Sequence, residues 1–135
     1  MAEPSDVTLV DGAIHNPADP RHFMTVTPVG ARRVATIDGH VIADSNGALV
    51  CKEVGFGIYD PVVYFPREDI EADKLVTIDK TTHCPLKGDT EYFDVVIDND
   101  RHDEAAWSYV ELITDNPLLG LVAFDTRRID ITSGS

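Results

Sequence analysis

The stretch Arg33-Val34-Ala35-Thr36-Ile37-Asp38-Gly39-His40-Val41-Ile42-Ala43 decides how this chain is read. Two runs rich in β-branched residues flank Asp38-Gly39, the dipeptide that supplies the positive φ angles of a type I′ turn, so the segment forms a β-hairpin. Outward from it, Asp44-Ser45-Asn46-Gly47 is a second turn cluster, and residues 48–53 read as a strand with Leu49, Cys51 and Glu53 on one side. Gly55 and Gly57 frame Phe56, Asp60-Pro61 closes that loop, and Val62-Val63-Tyr64-Phe65 is a strand that Pro66 stops. In 67–74 polar residues crowd around Ile70, which predicts one helical turn at most, with Pro66 near its first position. Further strands are expected over 75–82, 92–97, 105–109, 119–124 and 128–131, with a corner at 85–88, a turn at Asp98-Asn99-Asp100 and a helical turn over 111–116. Turn signals recur about every ten residues and no long segment holds an amphipathic helical period. The fold class is therefore mainly β: a single compact antiparallel β domain with short helical turns only.

Three segments follow from this pattern. Residues 1–24 carry His15, Asn16, Pro17, Asp19, Pro20 and His22 with no period that would bury a face, and read as an irregular N-terminal arm. Residues 25–131 form the β domain, and 132–135 a frayed tail.

Composition bounds the function. With 135 residues, 24 Asp+Glu and 11 Lys+Arg, the net charge is −13. Such a field repels polyanions, so nucleic acid and anionic membrane surfaces are excluded as expected partners. A hydrophobic share of 43% marks an ordinary globular chain rather than a disordered acidic one. No apolar run approaches the roughly 18 to 20 residues that span a bilayer. Residues 1–11 hold Glu3, Asp6 and Asp11 with no basic residue, unlike a secretory signal, so a cytoplasmic setting is expected. Two cysteines, Cys51 and Cys84, exclude a disulfide framework and are expected as free thiols.

Several chemistries lack their residues. Gly55-Phe56-Gly57 is too short for a dinucleotide loop, no Walker-type run or Gly-x-Ser-x-Gly elbow occurs, and neither cysteine has the paired neighbour of a closed zinc site. No cofactor and no metal is expected. Two cations stand where a β domain could present them: Arg67, beyond the strand ending at Phe65, and Lys87, in the corner Cys84-Pro85-Leu86-Lys87-Gly88. On so acidic a chain they invite a ligand reading, because Arg and Lys hold a carboxylate or phosphate while rings cover it. Phe93, Val95 and Ile97 should face the core, which leaves Tyr92 and Asp94 on the opposite face; Trp107 and Tyr109 share a face, as do Val62 and Tyr64. The expected ligand-binding set is Arg67, Lys87, Tyr64, Tyr92, Trp107 and His83. Ion pairs with Glu68, Asp69 or Asp89, and ordinary core roles for the rings, are the plainer alternatives. Cys84, beside His83 and near Lys87, is a candidate nucleophile, and Glu53, on a half-buried strand face, a candidate general base or the partner of one of the cations. Asp98 and Asp100 have the spacing of a carboxylate pair but sit in a turn.

Four motifs in order, Val41-Ile42-Ala43-Asp44-Ser45, Val63-Tyr64-Phe65-Pro66-Arg67-Glu68-Asp69, Thr82-His83-Cys84-Pro85-Leu86-Lys87-Gly88-Asp89 and Ala106-Trp107-Ser108-Tyr109, resemble the domain-of-unknown-function family numbered 427, also labelled nucleotidyltransferase-like. The resemblance runs from about His15 to Ile131. It implies a β-tent, similar to the Mss4 and methionine sulfoxide reductase B type, or a small open barrel, without the paired Cys-x-x-Cys zinc ligands of those relatives. It departs from the family pattern at Asp125-Thr126 and at Glu91. Three functions stay open at this point: a small anionic ligand held in an aromatic and basic pocket, a nucleotidyltransferase-like or Cys84-dependent enzyme, and an interaction module that pairs through a sheet edge, with itself or with another protein.

Overall fold

A computed structural model describes residues 12–55 and 57–133. Its strands, in chain order, are β1 (Ile14–Asn16), β2 (Asp19–Pro28), β3 (Arg33–Ile37), β4 (His40–Ser45), β5 (Leu49–Val54), β6 (Val62–Tyr64), β7 (Leu75–Ile78), β8 (His83–Cys84), β9 (Gly88–Ile97), β10 (Asp100–Leu112), β11 (Val122–Phe124) and β12 (Asp130–Thr132). Among the described residues helical structure is confined to two short 3-10 turns, Arg67–Asp69 and Ala72–Lys74. Among the described residues no helix is long and apolar enough to cross a membrane.

The hairpin read from Asp38-Gly39 is β3–β4, antiparallel, with φ of 49° at Asp38 and 82° at Gly39. A Cβ on Gly39 would meet nothing within 4 Å. The cost of a side chain there is therefore purely conformational. Gly39→Val should lower stability by about 1–2 kcal/mol, the usual penalty of a β-branched residue at positive φ. Equilibrium urea unfolding checks this, and an unchanged midpoint would show that the turn tolerates the strain.

Three antiparallel sheets result. One has the order β1-β2-β5-β6, a second β11-β10-β9-β7 with β8 also pairing β9, and the third β12-β3-β4. The first two are stitched together where Phe65 and Val122 exchange both backbone hydrogen bonds, at 2.8 and 2.9 Å. A strand path thus runs from β1 through β6 and β11 to β9 and β8, and it does not close into a barrel.

The β9–β10–β11 sheet is covered on both faces because its strands alternate as the pleat requires. Phe93, Val95 and Ile97 face Ala35, Ile37, Ile42 and Ala43 of the third sheet, with Phe65 and Phe124 edge-on at 5.6 Å. The opposite face carries Tyr109 and Ala123, which pack with Met24, Cys51 and Tyr64 of the first sheet and with Leu86 and Leu118. Asp94 is buried on this second face, accepting from Arg101 Nε at 2.5 Å and from the Glu104 N–H at 2.8 Å. Burial opposes the charge on Asp94, yet the Glu104 and Arg101 hydrogen bonds win and hold its carboxyl below the usual range.

The structure revises several boundaries. The stretch expected to be an irregular arm contains β1 and β2, where Met24 is fully buried and His22, Met24 and Val26 alternate toward the second core. A histidine in an inward position hides that alternation. Pro20 is tolerated because the pairing with β5 begins only at Phe23. Residues 1–11 lie outside the described part, as do the last two of the expected tail, while Thr132 belongs to β12. The strand expected at 105–109 is the thirteen-residue β10, and 113–120 follows as bends and turns, not a helical turn. Its charged first half pairs with β9 through an irregular register near Glu104, whose φ is 54°. The strand expected over 75–82 ends at Ile78.

Candidate functional site

The strand path leaves a seam between its two ends. A cleft of about 730 Å³ lies there, with Asn16, Asp19, Arg21 and His22 of the β1–β2 hairpin on one wall, His83, Cys84 and Pro85 at β8 on the other, and Glu53, Gly55 and Tyr59 between. Gly55 lets Tyr59 and His22 close in: a Cβ there would sit 3.1 Å from the Tyr59 ring and hydroxyl and 3.3 Å from His22 Cδ2.

The floor is a continuous chain of hydrogen bonds. The Ala18 N–H donates to Asn16 Oδ1 at 2.9 Å, which fixes the amide so that Nδ2 donates to His22 Nδ1 at 3.1 Å. His22 Nδ1 must then accept, and the ring's proton resides on Nε2, which donates to Glu53 Oε2 at 2.7 Å. Glu53 Oε1 accepts in turn from Lys87 Nζ, and that ammonium lies 5.9 Å from the centroid of Tyr109. The Lys87 side chain is 10% exposed and that of Glu53 16%. Burial alone would raise the Glu53 carboxyl, but the hydrogen bonds from His22 and Lys87 outweigh it and hold it below its ordinary value. Burial likewise works against the Lys87 charge, while Tyr64 and Glu53 keep it above the ordinary lysine range. The pair is charged, mutually neutral and buried.

Behind this floor the rings form a ladder. Tyr109 and Tyr64 lie 6.4 Å apart, and Tyr92 and Trp107, cross-strand partners on β9 and β10, 6.2 Å apart with Lys80 over Tyr92. Burial pushes the Tyr64 hydroxyl up to about 12, against the charge of Lys87 and a hydrogen bond from Trp107. Burial raises Tyr109 as well. Cys51, also buried, is pushed up to about 11 and lies 3.6 Å from the Met24 sulfur. Cys51 is an inert core thiol at neutral pH. Cys84 is half-buried on the cleft wall, its sulfur accepting the Lys87 backbone N–H at 3.4 Å.

Of the residues expected to act together, Trp107 and Tyr92 share one face of the β9–β10 sheet, Tyr64 of β6 packs with Trp107 in the second core, Lys87 lies near Tyr109 in the same core, and His83, Cys84 and Glu53 border the cleft. The expected hollow is not what they form. Tyr64 and Tyr109 are buried in the second core, and Trp107 and Tyr92 are half-buried beside them. Lys87 is committed to Glu53, one of the two alternatives open for that carboxylate. Arg67 is elsewhere: its guanidinium lies 4.9 Å over Phe93, on the opposite face of the sheet. It forms none of the ion pairs considered for it among the described residues. Asp98, at φ 54°, occupies the β9–β10 turn, and Asp100 begins β10 opposite Ile97. No cluster of three or more His, Cys, Asp or Glu side chains is placed to hold a metal ion among the described residues. Sequence reading missed Asn16, Arg21 and His22, because a segment judged irregular offers no face on which to place them. The signal available was the alternation His22, Met24, Val26.

No curated protein matches the chain. A family does: the one described as "Domain of unknown function (DUF427)", labelled NTP_transf_9, whose pattern covers residues 25–134 and so takes in β3 to β12, Glu53, the β8 corner, the first core and all of the second but its Met24 and Ile14. The chain belongs to this family.

Proposed function

We propose that this domain binds a small anionic molecule in the cleft at its open seam. One observation carries the reading: on a chain of net charge −13, Arg21 and His83 line one cleft of about 730 Å³. Ligand sites commonly fall in the range of about 300–1,000 Å³ and pair an apolar lining with a few placed polar groups. The rigid chain from Asn16 to Lys87 supports the reading, because a satisfied polar network holds the walls in one geometry. The two free thiols support a cytoplasmic setting, and three sheets around two cores support the β-tent relationship.

The test is a thermal-shift screen with nucleotides, sugar phosphates and carboxylates, and with neutral sugars and nucleosides as controls. Hits are then mapped by backbone amide NMR shifts. At least one anion is expected to raise the melting temperature and to perturb residues of β2 and β8. A flat response to every compound refutes the reading.

A second reading rests on Cys84, which lines the cleft and whose sulfur accepts the Lys87 backbone N–H. As a nucleophile it would react with iodoacetamide much faster than a free thiol at pH 7, and labelling would be slowed by any cleft ligand. Labelling no faster than in the urea-unfolded chain excludes this reading.

A further inference from the structure

Two histidines reach the cleft, and their hydrogen bonds make them chemically unequal. His22 has both ring nitrogens occupied, by Asn16 and Glu53. His83 donates its Nδ1–H to Asp89 Oδ1 at 2.6 Å, since a carboxylate only accepts, and Nε2 has no protein partner among the described residues. The two cations divide in the same way. Lys87 is spent on Glu53. Arg21 uses Nε, on Asp19 at 3.2 Å, and among the described residues the terminal nitrogens of its guanidinium have no protein partner.

An ion seated on the floor would have to break bonds among Asn16, His22, Glu53 and Lys87, each buried or nearly so, and would face the carboxylate of Glu53. The unspent groups stand on opposite walls, Arg21 on β2 and His83 on β8. Gly55, Tyr59 and Pro85 line the same cleft and supply its apolar surface.

On the reading of the cleft as a ligand site, we infer that the ligand is an organic anion bridging the seam. Its carboxylate or phosphate monoester docks on the open edge of Arg21, a hydroxyl donates to His83 Nε2, and an apolar or ring body lies between them against Tyr59 and Pro85. The planar fork of the guanidinium suits a carboxylate or phosphate held through two oxygens. Inorganic phosphate has the charge but neither the body nor the reach.

Isothermal titration of the full chain at pH 8 tests this with inorganic phosphate, phenyl phosphate and 4-hydroxyphenyl phosphate. Phenyl phosphate is expected to bind about tenfold or more tighter than inorganic phosphate, from burial of the ring. The hydroxyl should add about fivefold. Arg21→Gln should weaken both aryl phosphates about tenfold, and His83→Phe should erase the advantage of the hydroxyl while leaving phenyl phosphate unchanged. Both side chains are largely exposed, at 78% and 62%, so the melting temperatures of these variants should match the parent. Inorganic phosphate binding as tightly as the aryl esters, or both variants without effect, overturns the bridging assignment and leaves the cleft reading standing. A cleft ligand from the wider screen that is neutral overturns the anionic reading along with the bridging assignment. Failure of every compound removes both.

Discussion

Replacing Gly88 by alanine is expected to be the most damaging single methyl group that can be added to this protein. Gly88 begins β9 at φ 135°, a backbone region that L side chains rarely adopt. It also pairs with Leu112 so closely that a Cβ would lie 1.8 Å from the Glu111 carbonyl oxygen and 2.8 Å from Leu112 Cα. Those atoms belong to the backbone of β10 and cannot turn aside. Relief requires β8–β9 to peel from the end of β10, which would break the Ile113 N–H to Lys87 carbonyl bond and displace Lys87 itself. A loss of about 4 kcal/mol or more follows, at the upper end of single substitutions, enough to unfold a domain of ordinary stability. Circular dichroism melting of Gly88→Ala reads the effect. Gly39→Val, at a turn with open space, is the internal comparison, and a Gly88→Ala variant melting above it would contradict the geometry.

The second large effect is the Lys87–Glu53 pair. Lys87→Met is expected to cost about 3–5 kcal/mol, because it leaves the Glu53 carboxylate buried with only His22 for a partner. Glu53→Gln should cost a comparable amount by stranding the ammonium. The double variant Lys87→Met/Glu53→Leu should recover most of the loss, since removing both charges removes both desolvation terms. Urea denaturation of the four proteins closes the cycle, and single variants within about 1 kcal/mol of the parent would show the pair to be solvated and weak. The pH profile gives an independent reading. The folded Glu53 value is depressed, so its contribution is complete above its unfolded value, near 4.5, and is lost as pH falls through the folded value. Lys87 is raised, so its contribution is complete below about 10.5 and is lost as pH rises through the folded value. The parent should therefore show a stability plateau between these limits with an acid limb and an alkaline limb, and the double variant should flatten both.

Both predictions concern the corner 84–88, and it joins the two halves of the site. The corner places Cys84 on the cleft wall, Leu86 in the second core and Lys87 beneath the floor, all within one tight reversal. Rigid backbone at that point sets where His83 stands opposite Arg21.

What the sequence alone determined was local and periodic. Asp38-Gly39 specified a hairpin because both residues accept the positive φ angles of a two-residue type I′ turn, whose twist matches the flanking strands. The alternation of Phe93, Val95 and Ile97 set which face of β9 meets the first core, and with it that Tyr92 and Asp94 look the other way. Proline at 66 and turn residues at 98–100 set where strands stop. The motifs carried the family. Tertiary structure alone decided partners across distance. Glu53 and Lys87 are 34 residues apart and His22 and Glu53 are 31, and no local pattern says which carboxylate meets which cation. Arg67 and Lys87 look equivalent as isolated basic residues, yet the pleat sends one over Phe93 and the other behind the opposite face. Strand pairing selects faces two residues at a time, but which sheets close on each other, and where the path fails to close, depends on packing summed over both cores. The cleft exists at that unclosed seam.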